Sequence, residues 1–215
     1  MEILSQISEY VQKGRIKNVK SLVTSAIDDG VAPKIILSDG LLDGMSEVGE
    51  KFKNNEIYVP EVMIAARAMT AGIDILKPMM NAGDSQPVGK AVLGTVKGDL
   101  HSIGKNLVKI MFEGKGIEVI DLGVDVPPEK FIDTAIKEGA TIIGCSALLT
   151  TTMSMMDKVV KLADERGIRD RVKIMIGGAP VSQGFCEEIG ADCYTDDAAS
   201  ASDAALMYLE QAAAS

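Results

Sequence analysis

From residue 90 onward, short apolar runs typical of strands alternate with amphipathic helical stretches. The runs are KAVLGTV, IEVIDLG, TIIGCSAL, VKIMIGG and ADCYTD, and a helical pattern follows each one. Parallel strands need such crossovers, because a tight turn cannot join them. Residues 90–215 are therefore predicted to form a doubly wound α/β domain with a five-stranded parallel sheet of the flavodoxin or Rossmann-like type.

The residues before this domain have helical periodicity. In NVKSLVTSAIDDG the apolar residues recur at the spacing of one helix face, and Pro33 and Pro60 stand where first helical turns would begin. We predict an all-α bundle of about four helices over residues 1–82. Glycines 40, 44 and 49 lie inside its second long helix, where close packing against a neighbouring helix would compensate for their cost. The small, polar residues 83–89 predict a linker.

Composition excludes several classes of partner. A net charge of -9 without a lysine or arginine cluster argues against nucleic-acid binding. The apolar runs are too short to span a membrane, which argues against a membrane partner. The three cysteines lack metal-site spacing, and the first residues carry no signal-peptide pattern. We therefore expect a cytoplasmic protein.

The loop after the first strand, VKGDLHSIGKNL, holds the single histidine of the chain. Ligands of doubly wound sheets bind at this edge, beside the point where the strand order reverses. A phosphate loop is excluded, because Gly98 and Gly104 are six positions apart and Asn106 replaces the metal-binding hydroxyl. The dinucleotide fingerprint is missing, and no acid follows the third strand, where a phospho-receiver needs one.

Asp99 and His101 remain as the candidate pair in this loop. A neutral imidazole can bind a metal through one nitrogen while the other donates to a carboxylate. One histidine is too few for a free ion, so most of the coordination would come from elsewhere, such as a macrocycle. Acid–base chemistry, or an aspartate near a helix N-terminus beside an exposed histidine, fits the same spacing. The spacing leaves these alternatives open.

Three motifs in order resemble those of cobalamin-binding domains. DLHSIG resembles their D-x-H-x-x-G signature, SAL at residues 146–148 resembles S-x-L, and the GG at residues 177–178 resembles their glycine pair. The upstream LLDGMSEVGEKFKNNEIYVPEVMIAARAM is similar to the helical cap of cobalamin-dependent methionine synthase. The chain as a whole resembles the small corrinoid proteins of methyltransferase systems.

The resemblance implies a role for each matching residue. His101 would be the lower axial ligand of cobalt, so that cobalamin or a related corrinoid binds base-off/His-on, and Asp99 would tune the imidazole. A threonine hydroxyl would complete the relay, with Thr152 favoured by alignment and Thr150 facing the nucleotide tail. The other expected cofactor-binding residues are Ser102, Ile103, Gly104, Ser146, Leu148, Gly177, Gly178, Tyr194 and, in the cap, Tyr58.

The function implied by the resemblance is methyl carriage without catalysis by the chain itself. A substrate-specific methyltransferase would place a methyl group from a methylated amine or betaine, methanol or a methoxyaromatic on cobalt(I). A second methyltransferase would move it to tetrahydrofolate or coenzyme M, a reductive activase would rescue oxidised cobalt, and the linker would act as a hinge. The alternative is a corrinoid-binding regulatory or light sensor; such proteins usually carry a DNA-binding domain or a cap tryptophan, and this chain has neither.

Overall fold

The structure is a computed structural model that describes residues 2–80 and 87–213. It divides into two compact units, one formed by the N-terminal helices and one containing the sheet. Residues 83–86 of the predicted linker lie outside the described residues, so the linker and its hinge remain predictions. Within the described ranges, no helix combines the length and apolar character needed to cross a membrane.

The first unit consists of helices joined by short turns, as the periodicity predicts. Its elements are α1 (Glu2–Gln12), α2 (Ile16–Asp28), α3 (Pro33–Ile36), a π-helical turn (Leu37–Leu42), α4 (Asp43–Lys53), α5 (Val59–Leu76) and a 3-10 turn (Lys77–Met79). The second predicted helix is thus a succession of α3, the π-helical turn and α4. The predicted helical bundle is confirmed.

Glycines in this helical succession do lie against a neighbouring helix. A Cβ on Gly40 would come within 3.1 Å of Ile7 Cγ2, and one on Gly44 within 2.7 Å of the Ser8 carbonyl oxygen. Both neighbours belong to α1. The close approach predicted for these two glycines is therefore confirmed, and it explains why larger residues do not occupy them.

The second unit alternates strands and helices throughout. Its elements are β1 (Lys90–Thr95), α6 (Ile103–Gly114), β2 (Glu118–Asp121), α7 (Pro128–Glu138), β3 (Ile142–Ser146), a 3-10 turn (Thr150–Thr152), α8 (Ser154–Glu165), a 3-10 turn (Arg169–Arg171), β4 (Lys173–Gly177), α9 (Gln183–Ile189), β5 (Cys193–Tyr194) and α10 (Ala198–Ala213). The strands pair in parallel in the order β2-β1-β3-β4-β5. The predicted five-stranded doubly wound sheet is confirmed.

Each face of the sheet has its own apolar core. Alternate residues of β1 serve the two faces, since Ala91 and Leu93 pack in one cluster while Val92 packs in the other. The first cluster includes Phe112 of α6 and residues of α10, and the second includes Phe131 of α7 and residues of α8 and α9. Helices therefore cover both faces, and the free edge for ligands is the one where the strands end.

Candidate functional site

Three loops meet where neighbouring strands end. The strand order places β1 between β2 and β3, so the loop after β1 has the loops after β2 and β3 on either side. The strand order reverses at β1 and β3, which is where doubly wound sheets leave a crevice for ligands. The D-x-H-x-x-G motif occupies the first of these loops.

The side chain of Asp99 is the centre of the hydrogen bonding in this region. It is fully buried, and both of its carboxylate oxygens accept hydrogen bonds. Oδ1 accepts from the backbone N–H of His101 at 3.0 Å and contacts Nδ1 of the same residue at 2.7 Å. Oδ2 accepts from the N–H groups of Leu148 and Leu149, at 2.7 and 3.1 Å, and from Thr152 Oγ1 at 3.1 Å. One carboxylate thus ties the loop after β1 to the loop after β3.

These contacts keep Asp99 ionised. Burial alone would raise the pKa of its carboxyl group, but the hydrogen bonds from His101, Leu148 and Leu149 outweigh it and hold the pKa well below its usual range. An ionised carboxylate can only accept, so the contact at 2.7 Å requires a proton on Nδ1 of His101. In the neutral ring, Nε2 then carries the lone pair.

The ring of His101 is fixed at its base and open at its tip. Thr95 Oγ1, which is buried at the end of β1, donates to the His101 carbonyl at 2.8 Å. Together with the Asp99 contacts, this bond fixes both the backbone and Nδ1 of the histidine. Half of the side chain (52%) nevertheless remains exposed. The pair is therefore arranged to present Nε2 outward.

Of the three consecutive threonines, only Thr152 reaches Asp99. The 3-10 turn Thr150–Thr152 leaves Thr150 and Thr151 exposed and buries Thr152, whose Oγ1 lies 3.1 Å from Asp99 Oδ2 and 2.8 Å from the Leu149 carbonyl. The single hydroxyl proton can serve either acceptor. The geometry thus distinguishes Thr152 from its neighbours, which the sequence alone could not do.

The other predicted residues occupy different positions around this edge. Ser146 and Gly177 are paired at the ends of β3 and β4, while Ile103 and Gly104 are exposed in the first turn of α6, next to the half-buried Ser102. Leu148 is 43% exposed, and Gly178 follows β4 with φ of +128°.

The two predicted tyrosines belong to elements other than these loops. Tyr194 lies on β5, the outermost strand beyond β4, and its hydroxyl donates to Asp196 Oδ1 at 2.7 Å. Tyr58 precedes α5 in the helical unit, where it is 67% exposed and its backbone N–H donates to Glu61 Oε2. Neither contact tests the roles predicted for these residues.

Sequence reasoning missed several groups that hold the histidine loop by hydrogen bonds to its main chain or to the Asp99 carboxylate. They are the amides of Leu148 and Leu149, the hydroxyl of Thr95 and, after β2, Asp125. Amides carry no side-chain signal. Thr95 and Asp125 could have been noticed only as polar residues at the ends of an apolar strand and of a loop.

A buried lysine supports the same edge from α6. Lys105 is 4% exposed, and its Nζ donates to Asp121 Oδ1 at 2.6 Å and to Asn106 Oδ1 at 2.7 Å. Asp121 Oδ1 also accepts from the N–H of Gly123 at 2.9 Å. Burial raises the pKa of Asp121, but the hydrogen bonds from Lys105 and Gly123 and the charge of Lys105 together lower it by more. The net shift of this pKa is therefore downward.

We expect Lys105→Met to reduce the free energy of unfolding by about 1–3 kcal/mol at pH 7, because it leaves Asp121 without its buried cation. An aspartate whose pKa is lowered on folding stabilises the protein above its unfolded pKa and loses this contribution as pH falls through the folded pKa. The difference between wild type and variant, measured by urea unfolding, should therefore shrink below about pH 4. A difference that is the same at pH 3 and pH 7 would contradict this assignment; Asp121→Asn is the matched control.

The described residues contain no cluster of three or more histidine, cysteine, aspartate or glutamate side chains arranged to hold a metal ion. His101 thus stands as one possible protein ligand, and a metal bound there would take its remaining coordination from a ligand other than these side chains.

Comparison with known proteins identifies both units. A family model described as B12 binding domain matches residues 89–205, and a second model with the same description matches residues 3–77. The chain is 42% identical over 201 residues to dimethylamine corrinoid protein 2 of Methanosarcina acetivorans, covering 93% of each.

Solved structures agree. The methanol:cobalamin methyltransferase complex MtaBC from Methanosarcina barkeri matches with a TM-score of 0.89 and 31% identity, over 97% of this chain and 80% of that one. A cobalamin-binding protein from Desulfitobacterium hafniense matches with a TM-score of 0.79 and 30% identity, over 95% and 98%. Both halves of the sequence, the sheet with its histidine loop and the helices before it, therefore place this chain in the family of B12-binding corrinoid proteins.

Proposed function

We propose that this protein is a methyl carrier: it binds a corrinoid with His101 as the lower axial ligand and shuttles a methyl group between two methyltransferases. The observation that carries the proposal is the contact between His101 Nδ1 and the buried, ionised Asp99 in a chain of this family. This contact sets the tautomer that leaves Nε2 able to bind a metal.

The residues around His101 fit a broad, flat and largely apolar ligand. Leu100 and Ile103, on either side of the histidine, are 71% and 76% exposed, and Leu148 and Leu149 on the loop after β3 are also exposed. Exposed apolar clusters of this kind mark binding surfaces. A corrin ring would cover them and would supply the coordination positions that a lone histidine cannot.

Glycines open the space beside these leucines. A Cβ built on Gly104 or on Gly177 would meet nothing within 4 Å, so a ligand can approach the backbone at both positions. We propose that the corrinoid's displaced nucleotide tail lies along these glycines, past Ser102, Ser146, Thr150 and Gly178, with Tyr194 near its far end. The bound form would then be base-off/His-on.

The protein's own residues position the cofactor and support its histidine ligand. When bound, the corrinoid supplies a cobalt centre that can accept and release a methyl group. His101 orients the ring through Nε2, Asp99 holds the Nδ1 proton, and Thr152 and the amides of Leu148 and Leu149 keep the Asp99 carboxylate in place. We further propose that Tyr58 of the helical unit shields the opposite face of the cofactor.

The relatives support a methylated amine as the source of the methyl group. One relative is named for dimethylamine and covers nearly the whole chain, whereas the methanol system matches at lower identity. We propose an amine-specific methyltransferase as the first partner and a methyltransferase acting on tetrahydrofolate or coenzyme M as the second, with a reductive activase to restore oxidised cofactor. The three free cysteines fit a reducing compartment, and we place the protein in the cytoplasm.

Reconstitution with hydroxocobalamin tests the site. The wild-type protein should bind it in a one-to-one complex whose spectrum shows the base-off/His-on form. His101→Ala should give a base-off spectrum and bind about 10- to 100-fold more weakly, because the axial nitrogen is lost. Added imidazole should restore the axial signal in the variant, which separates loss of the ligand from misfolding.

Methyl transfer tests the role. The reduced, reconstituted protein should become methylated when it is mixed with a dimethylamine-specific methyltransferase and dimethylamine, and the His101→Ala protein should do so more slowly. Failure of the wild type to bind any corrinoid would refute the site. Binding without methylation by any amine, methanol or methoxyaromatic system would refute the carrier role and favour a sensor.

A further inference from the structure

We propose that Asp125, in the loop after β2, is a positioning residue for the axial histidine. This inference rests on the proposed function, because it assigns a residue that aligns His101 for cofactor binding. Asp125 lies outside the motifs that identify the family, and its hydrogen bonds go to the main chain of Gly98 and Asp99, not to the side chains of Asp99, His101 or Thr152.

The backbone of Asp125 is in an unusual conformation. Its φ is +53°, a left-handed value that few residues other than glycine, asparagine and aspartate adopt. In this conformation Asp125 makes two hydrogen bonds to the histidine loop. Its N–H donates to the Asp99 carbonyl at 3.0 Å, and its Oδ1 accepts from the Gly98 N–H at 2.7 Å. The residue therefore holds both ends of the Gly98–Asp99 segment.

These two hydrogen bonds from Asp125 complement those that the Asp99 side chain makes. The Asp99 carboxylate reaches toward β3, to the amides of Leu148 and Leu149, while its main chain is held from the β2 side by Asp125. Since β1 lies between β2 and β3, the histidine loop is fixed from both neighbouring strands. Loss of one side should leave the loop able to rotate about the other.

The loop after β2 that carries Asp125 is itself hydrogen-bonded to the end of β1. Val126, which follows Asp125, forms a parallel bridge with Val96 and donates its N–H to the Thr95 carbonyl at 3.0 Å. The Thr95 N–H in turn donates to the Gly123 carbonyl at 3.0 Å. Asp125 thus projects from a loop that is bonded to the end of β1 both before and after it, so its position is determined by the sheet.

Two substitutions separate the hydrogen bond from the backbone strain. Asp125→Asn keeps an Oδ1 acceptor and tolerates the left-handed conformation, so it should behave like wild type. Asp125→Gly removes the acceptor but relieves the strain, so it should fold well and lack only the bond to the Gly98 N–H.

The test uses the full chain, labelled with 15N-histidine, reconstituted with hydroxocobalamin and reduced to the cobalt(II) state. Nitrogen splitting from the labelled imidazole in the electron paramagnetic resonance spectrum then reports His101 ligation and distinguishes it from ligation by the cofactor's own base. We expect Asp125→Gly to reduce the His-on fraction and to weaken hydroxocobalamin binding about tenfold, the effect of one hydrogen bond to a charged group. Asp125→Asn should stay within about twofold of wild type. In the cofactor-free protein, hydrogen exchange of the Gly98 and His101 amides should be faster in Asp125→Gly alone.

The outcomes are distinguishable. A wild-type protein without nitrogen splitting would refute both the proposed axial ligation and this inference. A wild type with splitting, together with an Asp125→Gly protein that matches it in His-on fraction and affinity, would refute only the role of Asp125, even if the variant were less thermally stable. Equal losses in Asp125→Asn and Asp125→Gly would also overturn it, because the acceptor would then not be the cause.

Discussion

Asp99→Ala is expected to lower the free energy of unfolding of the cofactor-free protein by about 3–5 kcal/mol. The substitution leaves the N–H groups of Leu148 and Leu149 and the hydroxyl of Thr152 without the carboxylate that accepts from them. Urea unfolding measures the change. Because the pKa of Asp99 is held well below its usual range, this stabilisation is present above the unfolded pKa and should be lost as the pH falls toward the folded pKa.

Asp99→Asn separates stability from tautomer choice. The asparagine oxygen can still accept from Leu148 and Leu149, so the fold should lose only about 1–2 kcal/mol. Its amide nitrogen would then face His101 and donate to Nδ1, which moves the ring proton to Nε2, as at other aspartate-supported histidines. The axial nitrogen signal should therefore disappear although the protein remains folded. An Asp99→Asn protein with a wild-type axial signal would contradict the tautomer argument.

The second large effect is expected at Gly178, where alanine should destabilise the protein by about 3–5 kcal/mol or prevent folding. A Cβ there would lie 1.8 Å from the Ala147 carbonyl oxygen, and the φ of +128° is itself unfavourable for alanine. The obstacle is backbone at the end of β3, which cannot move aside as a flexible side chain could. Thermal and urea unfolding of the purified variant measure the loss.

The neighbouring Gly177 provides the matched control. Its Cβ would meet nothing within 4 Å, so Gly177→Ala should unfold within about 1 kcal/mol of wild type. The added methyl group would occupy the space proposed for the nucleotide tail, and hydroxocobalamin affinity should fall. Equal stabilities for the two alanine variants would show that the close contact at Gly178 relaxes at little cost.

Periodicity was sufficient to predict the fold. The alternation of apolar runs and helices determined five parallel strands, and the order beginning at β2 followed from the topology such chains usually adopt. The π-helical turn at Leu37–Leu42 was not predictable, because the residues there have an ordinary helical pattern and the widened turn arises only on packing.

The site was predictable where side chains carry it. The D-x-H spacing indicated that Asp99 and His101 could contact each other, and the family resemblance then favoured cobalt as the metal bound by the histidine. Thr152 could not be separated from Thr150 and Thr151 by sequence, since only the 3-10 turn decides which hydroxyl faces inward. The amides of Leu148 and Leu149 and the left-handed Asp125 were missed because each depends on where another loop ends.

The way Asp99 is held also bears on the ionic conditions under which the protein can work. Its carboxylate is bound by main-chain amides, an imidazole and a hydroxyl, which are dipoles fixed within the fold. Dissolved ions screen charges at the surface far more than they screen buried contacts. The histidine loop should therefore keep the same geometry in dilute buffer and at high salt, whereas ion pairs exposed at the surface would weaken as the ionic strength rises.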